Sequence, residues 1–294
     1  MKVLVTLITL VTVSSGLDIE YPSANPVFGY LKNVGIPEAK RIHNAEEESL
    51  RNGLRIVGGE AAAIEDNPWQ AGLLISIIGV NGQAVCGASL VSNQRLVTAA
   101  HCWSDGLYQG YHMTVVLGST TLFYGGERLG TSIVVLHPEW NPSLLRNDIA
   151  MIYLQEAVAT SSDIAPIALP SGSELSDTFN DEIARVSGFG MTSDSEAISI
   201  TQGLIQLDVP VMSNTLCTLA YPMSVRATNI CTRGTGAVGP CAGDSGGPLV
   251  IQSNDRYILI GVTTFRSLIG CEVGMPGVYS RVTSYVDFIN NNIL

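Results

Sequence analysis

Three residues far apart in the chain are of the types that carry out nucleophilic attack on a carbonyl carbon. Ser245 lies in the glycine-rich run GDSGGP, His101 ends an apolar run, and Asp148 precedes another. A serine hydroxyl becomes an effective nucleophile when an imidazole removes its proton and a carboxylate orients that imidazole. Glycines beside the serine allow backbone N–H groups to approach the reacting carbonyl. A glycine-rich run alone also suits an ordinary turn, so the prediction of a triad depends on all three residues.

Five motifs in order resemble the chymotrypsin-family (trypsin-like) serine proteases, and more closely the secreted chymotrypsin-like digestive enzymes of insects. The motifs are IVGG at 56–59, LVTAAHC at 96–102, NDIA at 147–150, CAGDSGGPL at 241–249 and PGVY at 276–279. The chain order His, Asp, Ser is the one that chymotrypsin has, unlike subtilisin and the α/β-hydrolases. The resemblance covers residues 56–294. It implies a serine endopeptidase with Ser245 as nucleophile, His101 as general base and Asp148 as the orienting carboxylate.

The resemblance also implies how the site is switched on and how it stabilises negative charge. Cleavage after Arg55 frees the amino group of Ile56, and Asp244 is the implied partner of that group. A buried ammonium paired with a buried carboxylate then orders the neighbouring loop. The backbone N–H groups of Gly243 and Ser245 form the implied oxyanion hole. The chain is thus expected to be a zymogen.

Six positions are expected to line the primary substrate pocket or its entrance: Gly239, Pro240, Thr264, Phe265, Arg266 and Gly277. Gly239 stands where trypsin-like enzymes carry aspartate, so Lys or Arg side chains of the substrate would find no counter-ion. This favours an aromatic or large apolar residue before the scissile bond. Arg266 departs from the family, which has glycine there. Three alternatives stay open for Arg266: a blocked, elastase-like pocket, a preference for acidic residues, or a solvent-facing arginine that plays no part. Thr264 replaces the family's serine beside the triad aspartate.

The pattern of the chain beyond residue 56 is typical of an all-β protein. Short apolar or alternating runs are separated by Gly, Asn, Asp and Ser. The runs are 71–78, 84–91, 114–117, 132–136, 149–154, 183–186, 204–211, 248–251, 258–264 and 277–282. Helical spacing of apolar residues behind Thr283 predicts a C-terminal helix. The resemblance implies two six-stranded antiparallel barrels, about 56–170 and 171–294, with the active site in the cleft between them.

The first 55 residues predict export and processing. Residues 1–16 combine a charged start, a short apolar core and small residues, the pattern of a secretion signal. Residues 17–55 have too few apolar side chains for a core of their own, and their stretch 37–50 suits a short helix. We interpret them as an activation propeptide. No stretch is long and apolar enough for a membrane-spanning helix. The expected location is extracellular, with the gut lumen as a hypothesis.

Six cysteines in a secreted chain predict three disulfides, among fifteen possible connectivities. The resemblance implies the pairs Cys86–Cys102, Cys217–Cys231 and Cys241–Cys271. No metal site is predicted, because no close Cys-x-x-Cys pair occurs and the triad already uses His101. No cofactor is expected either.

The charge of the catalytic part limits its partners. From Ile56 onward the chain has nine Arg, no Lys and twenty Asp plus Glu, a formal charge of −11. Such acidity argues against nucleic acid and anionic membranes. The expected partners are protein and peptide substrates, an activating trypsin-like protease and protein protease inhibitors, and the enzyme is expected to be a monomer. Because Arg stays charged at a pH where Lys titrates, the all-Arg cation set suggests an alkaline gut lumen. The alternative explanations for the absence of Lys are evolutionary drift and resistance to lysine-directed proteases.

Two rival functions remain from the sequence. A protease-like binding protein that has lost catalysis would usually lack a triad residue, and all three are present here. A regulatory protease of a cascade, or a venom or tissue enzyme, is the second rival. The short propeptide without cysteine or added modules favours digestion.

Overall fold

The computed structural model describes residues 25–52, 62–191, 203–234, 243–265, 267, 270 and 273–293. In these residues the strands are β1 (Gln70–Ile77), β2 (Gln83–Ser92), β3 (Arg95–Thr98), β4 (Gly110–Leu117), β5 (Glu127–Thr131), β6 (Val134–Leu136), β7 (Ala150–Tyr153), β8 (Ile183–Gly188), β9 (Ile205–Met212), β10 (Asn229–Thr232), β11 (Pro248–Ser253), β12 (Arg256–Phe265) and β13 (Gly277–Arg281). The α-helices are α1 (Ile36–Arg51), α2 (Asn214–Ala220) and α3 (Val286–Ile293).

The first seven strands form one antiparallel sheet in the order β5-β4-β1-β2-β3-β7-β6. The edge strands β5 and β6 are separated in the chain by only residues 132–133, so the sheet must curl until its edges meet. Thr131 at the end of β5 donates a hydrogen bond to the carbonyl of Tyr153 in β7 (2.7 Å). Counted as one bent strand, β5 and β6 bring this half to the six strands that the resemblance implies.

The remaining six strands close into an antiparallel barrel in the order β10-β13-β12-β11-β8-β9, with β10 also paired to β9. Alternate side chains point inward and form a separate core, to which Val209, Ile230, Ile260 and Tyr279 contribute. Burial raises the pKa of Tyr279, so its phenol stays protonated. The expected fold class, all-β with a C-terminal helix, is confirmed. Among the described residues, no helix is long and apolar enough to cross a membrane.

One exposed strand and two short elements were not predicted from the sequence. The missed strand β5 has the sequence ERLGT and lies mostly exposed at a sheet edge, where backbone pairing with β4 rather than burial defines it. The four-residue strand β10 and the helix α2 were also missed. The C-terminal α3 begins at Val286, after a 3₁₀ turn over Val282–Ser284, and so starts later than the predicted cap at Thr283.

The segment before the barrels folds onto them. Residues Leu31–Gly35 form a π-helical turn that continues into α1, close to the predicted helix 37–50. Tyr30, Leu31 and Ile36 are buried in the core of the first sheet. This explains how a segment too poor in apolar residues for its own core becomes ordered: it shares the core of its neighbour. We call residues 25–52 the leader.

Candidate active site

The imidazole of His101 and the carboxylate of Asp148 form a buried hydrogen-bonded pair. His101 Nδ1 lies 2.7 Å from Asp148 Oδ2, and the backbone N–H of His101 donates to Asp148 Oδ1 at 2.9 Å. The exposed fraction is 0% for His101 and 2% for Asp148. Bonding to a carboxylate places the ring proton on Nδ1 and leaves Nε2 as the basic nitrogen. The arrangement therefore holds one imidazole tautomer ready to accept a proton.

Short local structures position both members of this pair. His101 lies in a 3₁₀ turn, Ala100–Cys102, directly after β3, and the Cys86–Cys102 disulfide ties that turn to β2. Asp148 follows Asn147, whose φ of +56° is in the left-handed region that asparagine tolerates. The hydroxyl of Tyr285 donates to Asn147 Oδ1 (3.1 Å), and burial raises the pKa of Tyr285. The chain thus turns sharply at Asn147 and aims the next side chain at His101.

The loop that carries Ser245 packs directly against the turn that carries His101. The carbonyl of Ser245 accepts the N–H of Gly87 in β2 (2.7 Å) and lies 3.6 Å from Cys102 Sγ. On its other side the loop is held to β12, since Gly246 N–H donates to the carbonyl of Thr263 (2.8 Å). Ser245 is 9% exposed. In the described part of the chain, no hydrogen bond joins the Ser245 hydroxyl to the His101 ring. The fold brings Ser245 and His101 to one place between the two barrels.

Gly243 and Asp244 lie in a tightly packed part of the Ser245 loop. Gly243 has a φ of +97°, and a Cβ there would stand 2.9 Å from the Cα of Gly190. The carboxylate of Asp244 is buried and accepts the N–H of Gly190 (2.9 Å). A Cβ on Gly188 would overlap that carboxylate. Close packing around Asp244 therefore leaves no room for a side chain at Gly243 or Gly188.

Sequence reasoning missed Ser280, which supports the triad from the second barrel. Its hydroxyl donates to the backbone carbonyl of Asp148 (2.7 Å) and lies 3.2 Å from Thr264 Oγ1. Thr264 Oγ1 also donates to the carbonyl of Val262 (3.3 Å). The contacts of Thr264 in the described chain thus reach Asp148 through Ser280 rather than through the carboxylate. A lone serine in a strand carries no sequence signal for this role.

The candidate substrate positions are divided between described and undescribed residues. Phe265 is buried and packs edge-on against Tyr221, with ring centroids 5.4 Å apart. Gly277 begins β13 opposite Thr232. The remaining predicted site residues lie outside the described residues: Arg55, Ile56, Gly239, Pro240, Cys241, Arg266 and Cys271. The described cysteines form the bonds Cys86–Cys102 and Cys217–Cys231, the two other pairs that the resemblance implies.

A second group of missed residues connects the leader to the site. The ring of Tyr30 contacts that of His101 edge-on, with centroids 4.8 Å apart. Buried Asp105 accepts the N–H groups of Leu31 (2.8 Å) and Tyr108 (2.7 Å). These residues looked like ordinary leader and loop positions, because only the tertiary structure brings the leader to His101.

One cluster has the residue types of a metal site, namely Cys86, His101 and Cys102. Both sulfur atoms belong to the disulfide, and the ring Nδ1 is bonded to Asp148. A disulfide sulfur is not a thiolate ligand, so the donor set of this cluster does not fit a metal ion.

Comparisons with known proteins agree with this geometry. The family model described as Trypsin matches residues 56–289. A collagenase of Hypoderma lineatum is 37% identical over 252 residues, which are 85% of this chain and 91% of the relative. Brachyurin of Leptuca pugilator is 38% identical over 240 residues, 80% of this chain and 96% of the relative. A solved HL collagenase structure, 36% identical, superposes with a TM-score of 0.72 over 81% of this chain and 98% of its own. With the buried His101–Asp148 pair beside the Ser245 loop, these matches show that the chain belongs to the trypsin family of serine proteases.

Proposed function

We propose that this protein is a secreted endopeptidase, made as a zymogen, that hydrolyses peptide bonds through an acyl-enzyme on Ser245. The observation that carries the proposal is the His101–Asp148 hydrogen bond of 2.7 Å, formed next to the Ser245 loop. His101 Nε2 takes the proton of the Ser245 hydroxyl as the oxygen attacks the substrate carbonyl. The same nitrogen then gives that proton to the leaving amine. Asp148 stabilises the imidazolium that exists between these two transfers.

Two backbone donors stabilise the tetrahedral intermediate in this mechanism. The N–H groups of Gly243 and Ser245 face the oxyanion, and the positive φ of Gly243 supports this assignment. Water then enters from the side that the amine has left, and His101 acts as base again to release the acid product. Loss of one oxyanion donor lowers kcat by roughly two to three orders of magnitude.

Activation is proposed to follow cleavage after Arg55. The new amino group of Ile56 forms an ion pair with Asp244, which orders the segment that contains Gly243 and Ser245. The burial of Asp244 and its hydrogen bond from Gly190 support a role for this carboxylate in holding the loop. Cleavage thus completes the oxyanion hole.

The proposed preference is for an aromatic or large apolar residue before the scissile bond, as in chymotrypsin-like enzymes. The uncharged Gly239 supports it, and buried Phe265 offers an apolar wall next to the site. An elastase-like or acidic preference caused by Arg266 is the alternative. The collagenase likeness adds native collagen as a substrate to test. The proposed setting is digestion in an alkaline gut lumen, and an activating trypsin-like protease and protein inhibitors are the proposed partners of the monomer.

The test uses the full chain and its Arg55→Gln variant, each treated with an activating protease. After cleavage and removal of the leader, the parent is expected to gain activity on peptide substrates and to be labelled by an organophosphate at Ser245, whereas Arg55→Gln stays inactive. Ser245→Ala should be cut normally and remain unlabelled. An equally active Arg55→Gln precursor would disprove the switch. A cut parent that has been freed of the leader and is still unlabelled would indicate a protein without catalysis.

Specificity is measured by comparing the rates at which the same cut enzyme cleaves matched peptides with Phe, Leu, Ala, Glu or Arg before the scissile bond. Faster cleavage after Phe or Leu supports the open apolar pocket. Fast cleavage after Ala or Glu supports the Arg266 alternatives, and Arg266→Gly should then restore cleavage after Phe. Preference for Arg would overturn the argument from Gly239.

A further inference from the structure

The leader lies over the catalytic histidine. Tyr30 covers the His101 ring edge-on at 4.8 Å, and its hydroxyl donates to the carbonyl of Val85 in β2 (3.1 Å). The next residue, Leu31, donates its N–H to the buried carboxylate of Asp105 (2.8 Å) and is itself fully buried. In this arrangement His101 has no exposed surface. A substrate carbonyl next to Ser245 would have to share this space with Tyr30.

The first residues of the leader bridge the two barrels. The side chain of Val27 is fully buried in one cluster with Leu145, which precedes the triad aspartate, and with Phe265 of β12. Asn25 Nδ2 donates to the carbonyl of Pro142 (2.7 Å). Phe265 is one of the residues expected to line the substrate pocket. The leader therefore occupies the cleft itself, instead of lying on a remote surface.

The helix α1 anchors this segment further along the first sheet. Ile42 is buried together with Leu74 and Val116. At the start of the helix, Glu38 Oε2 lies 3.9 Å from where a Cβ on Gly243 would stand. One end of α1 thus approaches the candidate oxyanion hole, while its body is held by apolar packing.

A third anchor lies near the end of α1. The carboxylate of Glu46, only 1% exposed, accepts the N–H groups of Leu122 (2.6 Å) and Phe123 (2.8 Å). These contacts do not depend on the peptide bond after Arg55, because they are made by side chains well before it. Apolar burial and buried hydrogen bonds of this kind hold peptides to proteins without a covalent link. Cutting the chain removes the tether but none of these contacts.

We propose that the leader is an inhibitor of the active site in its own right: its residues 25–50 fill the cleft at His101 and stay bound after the chain is cut. Activity then requires two steps, cleavage after Arg55 and dissociation of the leader. This rests on the proposed function, because it assumes that substrate binds at His101 and Ser245. The occupant of the cleft is this chain's own leader, which has four basic and four acidic residues and places the ring of Tyr30 against His101.

The experiment uses the full chain with residues 51–55 replaced by the enteropeptidase site DDDDK, so that cutting leaves Ile56 as the new terminus. In a Ser245→Ala background the leader cannot be digested by the enzyme itself. This chain is cut at micromolar concentration and separated by size, and mass spectrometry follows the leader. We expect the leader to elute with the catalytic part. Tyr30→Ala should weaken the affinity of the cut leader for the catalytic part at least tenfold. Leu50→Ala should leave that affinity unchanged, since Leu50 is 56% exposed on the same segment.

Activity of the cut Ser245 enzyme gives the second readout. A synthetic peptide of residues 25–50 should raise KM for a short peptide substrate and leave kcat unchanged. The peptide with Tyr30→Ala should be at least tenfold weaker, and the peptide with Leu50→Ala equal to the parent. Dilution of freshly cut enzyme should also produce a lag before full activity.

The outcomes separate this inference from the proposed function. If the leader elutes apart from the cut Ser245→Ala chain, or if the peptide fails to inhibit an active enzyme, the inference is wrong. If the enzyme freed of its leader neither hydrolyses peptides nor reacts with an organophosphate, the proposed function is wrong, and co-elution still decides whether the leader binds. Equal retention of the Tyr30→Ala and Leu50→Ala leaders would show that the contact with His101 is not part of the binding.

Discussion

Gly243 has a backbone φ of +97° and a neighbour, Gly190, whose Cα would stand 2.9 Å from any added Cβ. A side chain at Gly243 would therefore be strained and would also push against a backbone atom that cannot move aside. The same residue supplies one of the two proposed oxyanion donors. Gly243 is thus required both for its positive φ and for its proposed role as an oxyanion donor.

This coincidence predicts a selective effect of Gly243→Ala. The variant should lower kcat of the cut enzyme about 100-fold or more, because the displaced N–H no longer meets the oxyanion. The matched control is Gly172→Ala, which also replaces a positive-φ glycine (+55°) but has no atom within 4 Å of the new Cβ. Steady-state kinetics on one peptide substrate measure both variants. Equal losses in the two would mean that general strain, rather than the donor, explains the effect.

At the scale of elements, the two described disulfides close loops of similar length but hold different structures. Cys86 and Cys102 are 16 residues apart and join β2 to the turn of His101. Cys217 and Cys231 are 14 residues apart and join α2 to β10. In the chain-entropy account, loops of this length contribute about 3 kcal/mol each to the free energy of unfolding. The two disulfides should therefore contribute similar amounts to the free energy of unfolding, but their removal should affect kcat differently.

The prediction is a split between stability and kcat in two double variants. Cys86→Ala with Cys102→Ala should lose about 3 kcal/mol of unfolding free energy and should also lower kcat, since the His101 turn is no longer tied to the strand beside the Ser245 loop. Cys217→Ala with Cys231→Ala should lose similar stability and keep kcat. Denaturant unfolding and steady-state kinetics of the cut proteins test this. An unchanged kcat in the first variant would show that β3 and Asp148 suffice to hold His101.

At the scale of the whole molecule, the contact between leader and barrels contains a titratable group. Burial raises the pKa of Glu46 from its ordinary value of 4.5 to about 7, although hydrogen bonds from Leu122 and Phe123 and the charge of Arg128 oppose the rise. The other titratable groups near it are His43 on the same helix, whose ring packs on Phe123, and Tyr124 in the facing loop. Because protonated Glu46 is favoured when docked, docking is strongest below pH 4.5 and weakens as the pH rises through about 7.

The pH dependence is therefore predicted to favour release in alkaline fluid. A pKa change from 4.5 to about 7 corresponds to roughly 3 kcal/mol. The affinity of the 25–50 peptide for the cut Ser245→Ala chain should therefore be weaker at pH 9 than at pH 4 by a factor on the order of a few hundred. Isothermal titration at the two pH values measures it. The peptide with Glu46→Gln should bind with nearly the same affinity at both. Such release would fit the alkaline setting suggested by the lysine-free catalytic part, and an unchanged affinity of the parent peptide would contradict it.

Several features of this protein followed from the sequence alone, because they depend on local chemistry. The triad residues stand in motifs whose residue types acyl transfer requires, while their order along the chain is a feature of the family. In the structure His101 and Asp148 are hydrogen-bonded to each other. Alternating apolar runs predicted most of the strands, since burial on one face leaves a period of two. Strand β5, polar and exposed, left no such pattern.

Only the tertiary structure decided which distant residues share a contact. Ser280 and Asp105 are ordinary polar residues in the sequence, and their roles arise from carbonyl and N–H groups that folding places beside them. The leader showed helical potential but no partner, because its few apolar side chains find a core only in the barrels. That Tyr30 reaches His101, and that Glu46 is buried deeply enough for its pKa to rise, depends on packing between segments far apart in the chain. The local sequence pattern thus determined which residues could carry out acyl transfer. Packing between distant segments determined that the leader lies over His101.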